Sequence, residues 1–503
     1  MSEHRRGLRP LLVGALAAIL SAGVTGCAPS LEGNEPKEAN KTTPARFGGG
    51  AAADGEAGAP TATSVAQKTW GELFTSPELR ALIAAALANN RELNVQLQEI
   101  IVARNEASAR RGEVLPRVGA GARAGVEKVG ERTSQGASDA ATGLPKNLGD
   151  FSFGLNASWE VDVWKKLRSA AKAAGLRYLA TVEARNFMVT QVVAEIARSY
   201  YELLALDAQI DILTRNVALQ TRALEVVKLE KLAARVTELA VQRFEAEVLK
   251  NESRLYDLEQ ERVQTENRIN FLVGRYPQSV RRSAAAFAMP PPEGLRAGLP
   301  SQLLENRPDV RAAELELEAS KLDVKAAKAA FYPALSIDAG AGYRSFNAAH
   351  LLTTPESLAY GVAGNLTAPL LNRAAITAQY RSANARQIQA VLRYEMTLLQ
   401  AFTDVTNQLA RLENLRESYA RQSRQVATLG QAVEVSGILF QSARADYMEV
   451  LLTRRDSLEA EMDLVETKRR RLQAVVDLYQ ALGGGWRGGA EPDAASGARG
   501  APP

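Results

Sequence analysis

Cysteine, histidine and long apolar runs are scarce in this sequence, and each scarcity closes off a class of function. The single cysteine among 503 residues, Cys27, permits neither an intramolecular disulfide nor a thiolate cluster. The two histidines, His4 and His350, leave little material for a metal centre or a general base. Lys and Arg total 61 against 57 for Asp and Glu, and no basic run is interleaved with aromatics, which argues against a nucleic-acid partner. Beyond Val24 no stretch has the length and apolarity of a membrane-spanning helix. Proline is missing from Lys166 to about Leu232, so nothing there interrupts a helix.

What is present begins at the N-terminus. Arg5, Arg6 and Arg9 precede an apolar run from Leu11 to Val24, the form of a secretory signal over 1–26. Val24-Thr25-Gly26-Cys27 resembles a bacterial lipobox, which implies cleavage before Cys27 and a covalent lipid, palmitate included, on its sulfur. Several acyl chains on one residue anchor stably where one does not. Ala28 rather than Asp follows the cysteine, which by the same resemblance suits outer-membrane sorting. The plain alternative is an ordinary signal peptide with an incidental cysteine. Residues 27–66 are rich in Gly, Ala, Pro and Thr and read as a lipid-anchored flexible tether; residues 487–503 read as a disordered tail.

Between these ends the chain is duplicated. Asn89-Asn90-Arg91-Glu92-Leu93 aligns with Asn306-Arg307-Pro308-Asp309-Val310, and Leu115-Pro116 with Tyr332-Pro333, both at a separation of 217. The first repeat spans 67–274, a linker or equatorial segment spans 275–300, and the second repeat spans 301–486. Each is expected to be one structural unit of helix, two strands and two long helices.

Strands are predicted at about 116–129, 150–163, 334–346 and 357–370, as two hairpins. Phe151, Phe153, Leu155, Ala157 and Trp159 fall on one face, and Ser152, Gly154, Asn156, Ser158 and Glu160 on the other. Leu335, Ile337, Ala339, Ala341 and Tyr343 alternate in the same way with Ser336, Asp338 and Arg344. A soluble sheet covering a core would carry this pattern too, but the flanking helices are too long to be a covering layer. Val189, Val193, Ile196, Tyr200, Leu203, Ile210 and Val217 keep three-four spacing along one of them, broken only by Asp207. Strands of about ten residues with apolar-out, polar-in alternation match a transmembrane barrel, whose lumen would then take Arg117, Arg123, Glu160, Asp338 and Asn365. Four strands cannot close such a barrel, and an open edge in lipid leaves backbone groups unpaired, so copies must share one: a dimer gives eight strands, a trimer twelve.

Here the residues resemble a known family. ENRPDVRAAELELEASKLDVKAAKAAFYPALSIDAGAG, WGELFTSPELRALIAAALANNREL, SWEVDVW, FQSARADYMEVLLTRRDSLEAE and the closing QALGGGW are similar to TolC-type outer-membrane factors, specifically the OprM-like (NodT-type) efflux lipoproteins. The resemblance runs in order from about Trp70 to Trp486. It implies a mainly α fold carrying a transmembrane β-barrel, in which a homotrimer forms a 12-stranded pore above a long α-helical periplasmic barrel. It implies a passive exit duct of a tripartite efflux pump, no enzyme, with a periplasmic adaptor (membrane fusion protein), an inner-membrane RND-type transporter and outer-membrane lipid as partners. A duct for type I protein secretion, or a non-porous lipid-anchored coiled coil, are the alternatives.

The resemblance also places sites. The helix reversals Ala234, Arg235, Val236, Thr237 and Ala443, Arg444, Ala445, Asp446 match the tips where the adaptor docks. The family has glycine where Ala234 and Ala443 stand, so a left-handed turn is disfavoured here. Glu449 matches a carboxylate that rings the closed end of the tunnel, while a second acidic position of that ring holds Leu452. At the strand-to-helix corner Lys165 stands after Trp164 where the family often has glycine. No cofactor is implied besides the lipid on Cys27.

Overall fold

The computed structural model describes residues 28–31, 35–47, 64–289, 297–371, 373–442 and 444–487. The signal segment 1–26, Cys27, Ala443 and the tail beyond Arg487 lie outside the described residues. Helices α1 (Trp70–Leu73), α2 (Pro77–Asn89) and α3 (Arg91–Gly112) lead to β1 (Arg117–Glu127), α4 (Ser134–Ala141) and β2 (Leu148–Val161). Two long helices follow, α5 (Lys166–Leu232) and α6 (Glu238–Val273), then α7 (Ala284–Ala288). The second half repeats the order with α8 (Leu303–Asn306), α9 (Pro308–Ala329), β3 (Ala334–Ser345), β4 (Leu358–Thr367), α10 (Ala374–Gln441) and α11 (Tyr447–Ala481).

The sequence repeats are not the compact units. One unit takes Met1–Ala39, Ile100–Ala180 and Glu314–Arg393; the other takes Asn40–Glu99, Thr181–Ala313 and Tyr394–Pro503. The reason is the pairing of β2 with β3, which joins a strand of each repeat in one antiparallel sheet of order β1-β2-β3-β4. A hairpin alone leaves two open edges, and fusing two hairpins removes half of them.

In the first unit that sheet is a single layer. β4 is exposed at all ten positions and β1 at nine of eleven, so no core lies on either of their faces. This rules out a sheet lying over a soluble core. The register carries the alternation across the strands: Val118, Ala157 and Ala339 share one face with Val362, and Arg117, Ser158, Asp338 and Ala363 share the other. The corner into α5 is built by Asp162, whose carboxylate accepts from the Leu167 and Arg168 backbone N–H groups at 3.0 and 2.9 Å. The strand therefore ends at Val161, and Asp162 and Val163, expected within it, belong to the turn. Lys165 takes the left-handed conformation there, φ 61°, as glycine would. Trp164 stacks on Tyr332 at 4.8 Å and donates to the Pro333 carbonyl at 2.8 Å, tying the two repeats together at this end of the sheet.

The described part of the expected tether is held down rather than free. Ala28 and Leu31 lie on a cluster of Val324, Phe331, Tyr380 and Ala383. The Lys37 backbone exchanges two hydrogen bonds with the Gln387 side chain, 3.1 and 2.6 Å. In the second unit the Asn40 N–H donates to Glu395, and Phe47, buried, stacks on Phe402 at 5.3 Å. Glycine and alanine composition suggested flexibility, but short side chains also allow an extended strand to lie flat along a helix.

The second unit holds the reversals and the joints of the long helices. Asn90 ends α2 and caps α3, its side-chain oxygen accepting from the Leu93 N–H at 3.0 Å. Asp207, the polar break in the apolar stripe of α5, pairs with Arg282, which also pairs with Glu266. Among the described residues no helix is long and apolar enough to cross a membrane.

Candidate functional site: the sheet and the helix tips

Two groups of residues carry the candidate function, one in each unit. All five expected lumen residues fall on one face of the sheet. Arg117 and Asp338 share a row through Ser158; Glu160 and Asn365 share the next through Ser336; Arg123 lies towards the hairpin loops, opposite Ser152. Asp338 accepts from the Asn365 side chain at 2.8 Å, and Glu160 pairs with Lys166 at 2.9 Å. The opposite face presents Val118, Phe153, Leu155, Trp159, Tyr360, Val362 and Leu366, all exposed. Exposed apolar side chains on one whole face of a sheet have no favourable contact with water.

Glycines show how closely the strands approach on the polar face. Gly154 pairs with Gly342, and a Cβ on either would fall on backbone atoms of the other strand. No side chain fits between β2 and β3 there, and the row continues as Gly121 on β1 and Ala359 on β4. Small residues along the middle of the polar face keep that side of the sheet clear.

At the tips, the two reversals expected from sequence share one apolar cluster. Leu224, Val227, Ala240, Val241, Phe244 and Val248 form it, with Val236 from the first turn and Tyr447 and Leu451 from just past the second. The first turn ends α5 with the Arg235 N–H on the Glu230 carbonyl at 2.9 Å and the Ala234 N–H on the Lys231 carbonyl at 2.9 Å. Ala234 is left-handed, φ 55°, so the turn keeps the geometry that glycine would favour. The second turn has the corresponding long bond, Arg444 N–H to Leu439 carbonyl at 2.8 Å. Thr237 and Asp446 precede α6 and α11 in extended conformation, and Lys231 pairs with Glu238 across the first turn. Arg235 and Arg444 are both exposed; Ala445 is half-buried. Glu449 stands exposed in the first turn of α11, and Leu452 beside it is exposed as well.

One buried joint escaped sequence reasoning. Arg307 is 5% exposed and holds Asp309 at 2.6 Å, Asp404 at 3.3 Å and the Ala481 carbonyl at 3.0 Å. Burial works against its charge, but Asp309 and Asp404 outweigh that and hold it above the ordinary arginine range. The neighbouring Asn306 carbonyl accepts from Trp486, which explains the closing GGGW as a docked end rather than a loose one. Asp150 on the polar face was also missed; alternation back from Ser152 would have found it. Among the described residues no group of His, Cys, Asp and Glu could hold a metal ion.

A profile of the outer membrane efflux protein family matches residues 82–275 and 299–484. The pyoverdine export outer membrane protein OpmQ of Pseudomonas aeruginosa is 30% identical over 456 residues, 89% of this chain and 94% of that protein. The cation efflux system protein CusC of Escherichia coli K12 is 27% identical over 419 residues, 83% of this chain and 88% of its own length. Among solved structures, the Campylobacter jejuni CmeC outer membrane channel superposes with a TM-score of 0.79 at 20% identity, covering 91% of this chain and 94% of that one. The outer-membrane channel OprN superposes with a TM-score of 0.80 at 22% identity, covering 92% and 99%.

Proposed function

This chain belongs to the outer membrane efflux protein family, and from that premise we propose how it forms the outer-membrane exit duct of a tripartite efflux pump. It lies in the outer membrane. The observation that carries the reading is the single-layer sheet with two unpaired edge strands, one polar face and one apolar face on which Val118, Leu155, Tyr360 and Val362 stand exposed. Lipid accepts the apolar face, and only closure removes the edges. Three copies joined from β1 to β4 give twelve strands with Arg117, Arg123, Glu160, Asp338 and Asn365 on the lumen wall. The glycine rows support this orientation, because the inner face of a closed sheet is the crowded one.

Long helices extend the duct into the periplasm, and exposed apolar residues such as Leu392, Met396 and Leu399 on α10 supply surface for neighbouring copies. The lipid on Cys27 anchors the start of the chain. The shared cluster at the tips holds Arg235 and Arg444 outward for a periplasmic adaptor, which joins the duct to an inner-membrane RND-type transporter. Paired guanidiniums favour an adaptor that offers carboxylates or carbonyls. Three copies of Glu449 around one axis repel each other and narrow the closed end electrostatically. The duct performs no chemistry of its own. Its relatives are named for pyoverdine, cations and toluene, so one duct architecture serves chemically different cargoes.

The test is adaptor crosslinking in cells that express the full pump. Arg235→Asp with Arg444→Asp is expected to abolish most crosslinking while the heat-resistant trimer persists. Unchanged crosslinking returns both arginines to solvated turn residues, and a protein found soluble and monomeric in the periplasm removes the duct reading altogether.

A further inference from the structure

Charge is unevenly distributed along the polar face of the sheet. At the helix end, Asp338 is bonded to Asn365 and shares its row with Arg117, and Glu160 is paired with Lys166. Cation and anion are matched there. The middle rows are glycine-rich and carry no charge. At the hairpin-loop end, Arg123, Ser152 and Arg344 form one row across β1, β2 and β3. Asp150, two residues before Ser152 on the same face, reaches both arginines. Its two oxygens meet the Nε of Arg344 at 3.0 Å and the Nε of Arg123 at 3.3 Å. One carboxylate thus serves two guanidiniums. Glu127 lies on the same face, two rows nearer the loops, opposite Leu148.

The exposure of the three side chains is the second observation. Asp150 is 19% exposed, whereas Arg123 and Arg344 are 75% and 68% exposed. The carboxylate is sunk between the strands and takes the Nε edge of each guanidinium. The Nη groups carry four of the five N–H donors of each arginine, in the fork that matches carboxylate and phosphate oxygens. Cross-strand geometry fixes the two forks on one row of the sheet, either side of Ser152, rather than on a loop.

We propose that Arg123 and Arg344, set by Asp150, form an anion-binding collar on the barrel wall, a subsite for carboxylate- or phosphate-bearing cargo on its way out. The proposal rests on the reading of the polar face as lumen. In a trimer the collar has six guanidiniums and three Asp150 carboxylates, a surplus of three positive charges in one ring. Rings of arginine favour anions in a pore, and exposed, partly hydrated guanidiniums bind weakly enough to release them. The single carboxylate per pair restrains the arginines without neutralising both.

Full-length trimer in planar bilayers under a steep KCl gradient tests this, with citrate added as the probe on the loop side. Citrate is expected to reduce the current through the unaltered channel. Arg123→Gln with Arg344→Gln is expected to weaken that block several-fold and to shift the reversal potential towards cations. Arg123→Lys with Arg344→Lys, which keeps the charge, is expected to retain the reversal potential of the unaltered channel. Asp150→Asn is expected to strengthen the block. A double Gln channel that conducts with the original reversal potential and the original citrate block overturns the collar and leaves the duct intact. Absence of any conductance in the unaltered trimer brings down the duct reading, and the collar with it.

Discussion

The first repeat holds the end of its last long helix with a neutral amide, and the second repeat holds the corresponding end with a buried cation. Asn90 donates to the Leu272 carbonyl at 2.8 Å, and Arg307, at the aligned position, donates to the Ala481 carbonyl at 3.0 Å. The next turn is shared in detail: Gly274 and Gly483 are both left-handed, and a Cβ on each would fall on the carbonyl of Asn89 or Asn306. Backbone geometry has stayed the same across the duplication while side-chain chemistry has diverged. A neutral donor needs only its acceptor, whereas a buried guanidinium must bring counter-charges, here Asp309 and Asp404. The helix starts differ for the same reason. Asn90 caps α3 with its own side chain, while Arg307 leaves that task and Pro308 opens α9.

The sharpest way to break this comparison is to remove each donor. Arg307→Met leaves the half-buried carboxylates of Asp309 and Asp404 facing no cation and is expected to cost about 3 kcal/mol. Asn90→Leu loses one cap and one bond and is expected to cost about 1–3 kcal/mol. Thermal melting of the purified proteins in detergent reads both. Adding Asp309→Asn and Asp404→Asn to Arg307→Met should recover a large part of the loss, since the unpaired charges go with it. Equal losses for the two single substitutions would mean that charge is immaterial at this joint.

The glycines sharpen the other side of the comparison, where the repeats are alike. Gly274→Ala and Gly483→Ala each combine left-handed strain of about 1–2 kcal/mol with a carbonyl that must move. Both variants are expected to lose about 2–4 kcal/mol in the same melting experiment, and to do so equally. A much smaller loss at Gly274 would show that the docking of Trp486 and Arg487 onto Asn306 makes the second joint the stiffer one.

The degree to which this was legible follows the range of each interaction. Alternation in Phe151–Trp159 and Leu335–Tyr343 marks two strands because every second residue touches the same medium, and the observed register keeps the apolar residues of both on one face. The duplication was readable because Asn306-Arg307 and Tyr332-Pro333 keep one offset from their counterparts. The Arg307–Asp404 and Asp207–Arg282 pairs were not, since residues 97 and 75 positions apart leave no local trace. Nor was the fusion of the hairpins through β2 and β3, which depends on the edges and not on either strand's own pattern. Composition misled over 28–31 and 35–47, where the chain is held to α10 by hydrogen bonds from Lys37 and Asn40 and by one phenylalanine.

The smallest expected effect concerns the positions where the sequence lacks a glycine that the backbone wants. Ala234 and Lys165 are the two non-glycine residues with positive φ among the described residues, at 55° and 61°. Each pays about 1–2 kcal/mol for that conformation. Glycine would remove the strain but add about 0.5–1 kcal/mol of chain entropy to the unfolded state. Ala234→Gly is therefore expected to stabilise by about 0.5–1 kcal/mol in the melting experiment, the opposite sign to the joint glycines. Because the Arg235 and Ala234 N–H bonds to Glu230 and Lys231 remain, adaptor crosslinking through Arg235 should not change. A loss of stability instead would mean that the alanine methyl contributes packing at the tip exceeding its strain, and that the turn was refitted around it.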